Sequence, residues 1–192
     1  MAADDDVSST DRPGAATEPG QARIALFAVV AVAALALDVG SKALVVASLE
    51  TNDSTHYHAP VRLLGGAIYL DEARNSGAAF SLGTGFTVIL TVIALAVVAV
   101  ILRTARRMRS TGWAVALGLV LGGALGNLVD RIFRAPGFGR GHVVDWISLF
   151  GPDGAHWPIF NLADSAIVCG AVLAGVLSVL GIDLDAKARA RG

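Results

Sequence analysis

Cysteine is nearly absent: Cys169 stands alone in 192 residues, which excludes an internal disulfide framework and any CxxC metal or redox motif. Charge is scarce as well. Only 16% of residues are Asp, Glu, Lys or Arg, against 54% hydrophobic and a mean hydropathy of +0.63, which excludes an ordinary soluble domain and makes a bilayer the expected solvent. The net charge is −1, and the basic residues form no stripe that could track phosphates, so a nucleic-acid partner is excluded. Also missing are G-x-S-x-G, HExxH and a cysteine beside a histidine; Ser165 adjoins Asp164, but no Lys or His is placed to activate it.

What is present is a succession of long apolar runs. Residues 24–49, 86–102, 113–129 and 163–182 are each long and apolar enough for a membrane-spanning helix. The expected fold is an all-α polytopic membrane protein of four transmembrane helices with a small extramembrane β-rich cradle. One membrane domain over 23–183 is flanked by a disordered acidic tail, 1–22, and a basic tail, 184–192; the first is too acidic for a signal peptide. The connector between the second and third runs carries Arg103, Arg106, Arg107 and Arg109. By the positive-inside rule it is cytoplasmic, as are both termini, and the two longer loops are outside.

The cradle is expected between the first two runs, where β-branched pieces at 60–64 and 67–70 are punctuated by Gly65-Gly66 and Asn75-Ser76-Gly77. The second of these reads as a turn in which Asn75 offers an amide and small neighbours allow close backbone approach. His56 and His58 share one face of an extended chain but lack a third ligand at metal spacing, so they read as solvated loop residues.

Polar residues inside the apolar runs are few, and each needs a reason. Asp38 and Lys42 form an i,i+4 pair that ties the first helix to its surroundings. In the third run Gly118, Gly122 and Gly126 make a small-residue face for close helix packing, while Gly123, Asn127 and Arg131 lead polar groups along an adjacent stripe towards Asp130. Asp145 lies among Val143, Val144, Trp146 and Ile147, and Asp164 opens the fourth run behind Asn161, a capping-box-like start. Both aspartates fall at the outer membrane boundary, joined by a loop short enough to bring them together. Such a pair can share a proton, one member acting as base towards water and the other as acid towards a carbonyl. The same pair can instead relay protons in a small proton-coupled transporter. The lack of an inverted repeat or of a helix broken at mid-membrane counts against that alternative.

In order and spacing, Asn75-Ser76-Gly77-Ala78-Ala79-Phe80, Gly126-Asn127-Leu128-Val129-Asp130-Arg131, Val143-Val144-Asp145 and Phe160-Asn161-Leu162-Ala163-Asp164-Ser165-Ala166 resemble the motifs of lipoprotein signal peptidase, the type II signal peptidase of bacteria. The resemblance runs from about Ile24 to Ile182. It implies an aspartic endopeptidase in the bacterial inner membrane, acting at the outer face without metal or other cofactor and cleaving prolipoproteins before the diacylglyceryl-modified cysteine. It further implies Asp145 and Asp164 as the catalytic dyad, and Asn75, Gly123, Asn127, Arg131 and Asn161 as substrate-binding residues. Asp38, Lys42 and Asp130 are implied as structural polar residues. The implied partners are lipid-modified prolipoproteins and membrane lipids, with the protein itself monomeric.

Overall fold

The computed structural model describes residues 19–49, 59–77 and 85–185. His56, His58, the Ala78-Ala79-Phe80 part of the first motif, most of the acidic tail and the basic tail lie outside them. Four helices, α1 (Pro19–Leu49), α2 (Gly85–Ala105), α3 (Thr111–Phe133) and α4 (Leu162–Val179), are long and apolar enough to cross a membrane. With them comes one antiparallel sheet of β1 (Val61–Leu63), β2 (Ile68–Asn75) and β3 (Val143–Leu149), in that order. The exposed residues of the helices fit a bilayer: Val32, Leu37 and Leu44 of α1, and Val168 and Val172 of α4, are each at least 60% exposed, a lipid-facing surface that water would penalise.

Helix α3 is the central one, packed along α1 and α4 and, less extensively, α2. The glycine face explains the close approach. A Cβ on Gly118 would collide with the Phe27 carbonyl and Val30, and one on Gly122 with the Ala31 carbonyl and Ala34, so only glycine lets α1 lie this near. From the other side Gly170 of α4 brings its backbone against Ala116 and Val120. Away from the sheet, Phe27, Ala31, Ile101, Ala105, Met108, Ala114 and Leu121 form a dry core joining α1, α2 and α3.

Helix ends differ from the bounds of the apolar runs for local reasons. Pro19 opens α1 ahead of residue 24, since a first-turn proline forfeits no intrahelical bond. Helix α3 continues past residue 129 through Asp130, whose charge is paired with Lys42 and Arg134, and stops before Pro136, which disfavours helix at the residue preceding it. Helix α4 closes earlier than residue 182, where Gly181, at φ +65°, allows Ile182 N–H to reach back to the Leu177 carbonyl.

The sheet is assembled from distant parts of the chain. Pairing β1 with β2 follows from the turn at Gly65-Gly66, but β3 joins β2 from beyond α3, with Asn75 opposite Val143 and Ala73 opposite Asp145. A bulge between Leu70 and Ala73 sets Asp71 and Glu72 against Trp146 alone, and such an irregularity re-aims neighbouring side chains. It lies beside Asp145. The strand is tied to α3 by Val144 N–H donating to Asp130 Oδ2 (3.2 Å), and to the start of α4 through reciprocal bonds between Ile147 and Phe160.

Candidate active site

Three asparagines gather the two aspartates where the helices meet the sheet. Asn161 caps α4: its Oδ1 accepts the Asp164 N–H (2.9 Å), while Asp164 Oδ2 accepts the Asn161 N–H (3.2 Å), a complete capping box. Because the acceptor end of the Asn161 amide is occupied in this way, its Nδ2 must face the opposite direction. There it donates to Asp145 Oδ1 at 2.6 Å, with the Val144 carbonyl at 3.3 Å. One cap residue thereby holds both carboxyl groups, and it is fully buried.

The other two amides are locked by the same logic. Asn75 closes β2 with its Oδ1 accepting the Gly77 N–H (2.7 Å), where Gly77 has φ +84°, so Asn75 Nδ2 is left to donate to Asp145 Oδ2 at 2.9 Å. The turn and the site function are one feature. Asn127 on α3 accepts at Oδ1 from Lys42 Nζ (3.0 Å) and Asn161 Nδ2 (3.2 Å), which turns its Nδ2 to Asp164 Oδ1 at 2.8 Å. Every oxygen of the pair therefore accepts a hydrogen bond from an amide N–H of fixed orientation.

Asp145 is 3% exposed, and burial pushes its carboxyl up to about 6; the Asp164 charge adds to that rise, while the Asn75 and Asn161 amides and Lys42 restrain it. Arg131, one turn along α3 from Asn127, lies near enough to interact electrostatically with Asp164, Asp145 and Asp130. Its Nε is buried, and among the described residues it has no hydrogen-bond partner. Beneath the pair, Lys42 is fully buried between Asp38 Oδ2 (2.7 Å) and Asp130 Oδ2 (2.9 Å). Asp130 also pairs with Arg134, and Asp38 Oδ1 accepts the Ala163 N–H at 2.9 Å in the first turn of α4.

The structure thus brings together Asn75, Asn127, Arg131, Asn161, Asp145 and Asp164, with Asp38, Lys42 and Asp130 directly below. Gly123 lies against the first turns of α4: a Cβ there would collide with the Ala163 carbonyl and with Ile167, so its missing side chain makes room for that helix. Sequence reasoning missed the direct contact of Lys42 with the site through Asn127. The pattern gave only a faint signal for it, two polar residues facing inward on different apolar helices.

Apolar helices packed on α3, with an amide-clamped aspartate pair at their junction with a small sheet, define a polytopic membrane protein with a carboxylate-pair site. Residues 30–180 match the family model described as Signal peptidase (SPase) II. The chain is 52% identical over 166 residues to the lipoprotein signal peptidase of Streptomyces coelicolor, covering 86% of this chain and 76% of that one. It is 49% identical to that of Rhodococcus jostii (95% and 85% covered) and 44% identical to that of Mycobacterium tuberculosis (96% and 88%). Two solved bacterial membrane enzymes share the fold, with TM-scores of 0.68 and 0.66 at 24% and 25% identity; the alignments cover 81% and 82% of this chain and 94% and 89% of theirs. The chain therefore belongs to the signal peptidase II family, and the transporter alternative gives way to a peptidase.

Proposed function

We propose that the protein removes signal peptides from prolipoproteins by hydrolysing the bond before the lipid-modified cysteine, with Asp145 and Asp164 as an aspartic dyad. The observation that carries this reading is the pair of carboxyl groups whose four oxygens are aimed by locked amides, one of them pushed up to about 6. In the reacting form Asp145 holds a proton and Asp164 is ionised. Asp164 takes a proton from water as its oxygen attacks the scissile carbonyl carbon, and Asp145 protonates the carbonyl oxygen. The tetrahedral intermediate collapses as Asp164 passes its proton to the leaving nitrogen and Asp145 takes one back from a hydroxyl of the intermediate. The C–N bond breaks, leaving a carboxyl on the signal peptide and a free amine on the lipidated cysteine. Arg131 Nε, with no partner among the described residues, is available to orient the substrate backbone.

The four-arginine connector supports a topology with both termini in the cytoplasm and the site at the outer face of the inner membrane, since basic loops favour the cytoplasmic side. There a substrate anchored by its own acyl chains reaches the dyad sideways, as a monomeric enzyme in a lipid surround would require. No cofactor enters the chemistry. Purified protein in detergent should cleave an S-diacylglyceryl precursor and leave its unlipidated form intact; equal cleavage of both would overturn the lipoprotein assignment.

The pH dependence should separate free enzyme from complex. Because the mechanism needs protonated Asp145, kcat/KM should fall above about pH 6, while kcat should hold to higher pH once acyl chains displace water and raise the same group further. Single-turnover and steady-state rates measured across the neutral range check this; a kcat/KM that climbs steadily with pH would exclude Asp145 as the acid. The stability sign is opposite to that of a salt-bridged carboxylate. The fold binds this proton more tightly than the unfolded chain does, so Asp145 destabilises increasingly as pH rises from the ordinary carboxylate range to about 6.

A further inference from the structure

From Asp164 a groove of about 430 Å³ descends along the lipid-facing side of α4, walled by Leu149, Trp157 and Phe160 from the sheet side and by Val168 and Cys169 from the helix. We propose that this groove holds the first part of one acyl chain of the diacylglyceryl-modified substrate, which passes Cys169 at the lower end of the groove before it enters the bilayer. The proposal rests on the reading above and adds a place for the lipid.

Three observations favour an acyl chain over a stretch of peptide. An extended peptide needs partners for its N–H and C=O groups in an apolar setting, and the groove wall is almost wholly apolar. The Ser165 hydroxyl donates to the Asn161 carbonyl (3.0 Å), and the Asp164 oxygens already accept from Asn127 and Asn161. A helical segment, roughly 10 Å across, would fit for about one turn only. An acyl chain needs no polar partner, and continuity fixes its origin. The lipid hangs from the sulfur of the residue whose nitrogen is the leaving group, so its first carbons must lie close to Asp164, at the head of the groove. Cys169 follows Asp164 by five positions, about 7.5 Å further along the helix axis. Trp157 and Val168, 59% and 60% exposed, leave the groove open to the bilayer, so a chain can slide in from the side.

The test compares precursors carrying dipalmitoyl and dihexanoyl groups on the same peptide. Cys169→Trp fills the lower groove; it should cut kcat/KM about tenfold for the long-chain precursor, the order expected for a few methylenes denied burial, and less than about twofold for the short one. Val179→Trp, on the lipid-facing far end of α4, should change neither. Alkylating Cys169 in the folded wild-type protein, where it is the sole thiol, must reproduce the chain-length effect with no question of misfolding. Equal losses for both precursors would mean that the groove takes peptide or that the site is distorted, and no loss for either would mean that only bulk lipid fills it; each overturns the proposal. Cleavage of unlipidated precursor by the wild type would instead overturn the functional reading itself.

Discussion

Replacing either aspartate of the pair with asparagine should lower cleavage at least about a thousandfold, because an amide keeps the shape of the carboxyl but cannot exchange its proton. The two variants should differ in stability. Both Asp145 oxygens accept from amide nitrogens of Asn75 and Asn161, so in Asp145→Asn one of these donors must face an NH2 group. In a site only 3% exposed that mismatch costs about 1–3 kcal/mol. Asp164→Asn meets the same mismatch against Asn127 or the Asn161 N–H, but position 164 is half-buried, so the new NH2 group can turn towards water. Asp145→Asn should therefore melt lower in detergent than Asp164→Asn, while both lose turnover alike. More than a few per cent of wild-type cleavage in either would sink the dyad, whatever the melting temperatures show.

Why these two residues could be picked out of the sequence is a matter of solvent. A carboxylate in an apolar run is costly enough that Asp145 and Asp164 announce themselves, as do Asp38 and Lys42. The four spans were legible for the same reason, and the Gly118, Gly122 and Gly126 face because four-residue spacing places them on one side of a helix. Strand β3 was not legible. Its partners are the residues of β2 some seventy positions earlier, and no local pattern carries that pairing. The neighbour of Gly123 was not legible either, because a missing side chain is visible in a sequence while whatever fills the space is not; here it is the backbone of α4. The asparagines were visible as polar residues, but their orientations depend on Gly77 N–H, Lys42 and Asp164 N–H, contacts that exist only in the folded chain.

Lys42→Met should have the largest effect on stability, and its consequences for catalysis can be separated from those for folding. Lysine offers donors only, and Lys42 spends them on Asp38 Oδ2, Asp130 Oδ2 and Asn127 Oδ1 with no exposure to solvent. Removing it strands buried carboxylates, a loss of about 3–5 kcal/mol. Asp130 retains Arg134 and the Val144 N–H, so the larger share falls on Asp38, whose remaining partner is the Ala163 N–H. Adding Asp38→Asn removes that uncompensated charge and should recover part of the lost stability. Turnover should not recover with it. Without Lys42 the Asn127 amide loses the donor that fixes its acceptor end, and a flipped amide would present oxygen to Asp164 Oδ1 where an N–H now donates. The double variant should thus melt nearer to wild type than Lys42→Met does, yet stay at least about tenfold slow, the order expected from losing one hydrogen bond to a charged group. Thermal melting in detergent and single-turnover cleavage of a lipidated precursor, measured on both variants, decide the matter. Recovery of both stability and rate in the double variant would show that Lys42 only balances buried charge and has no part in aiming the dyad.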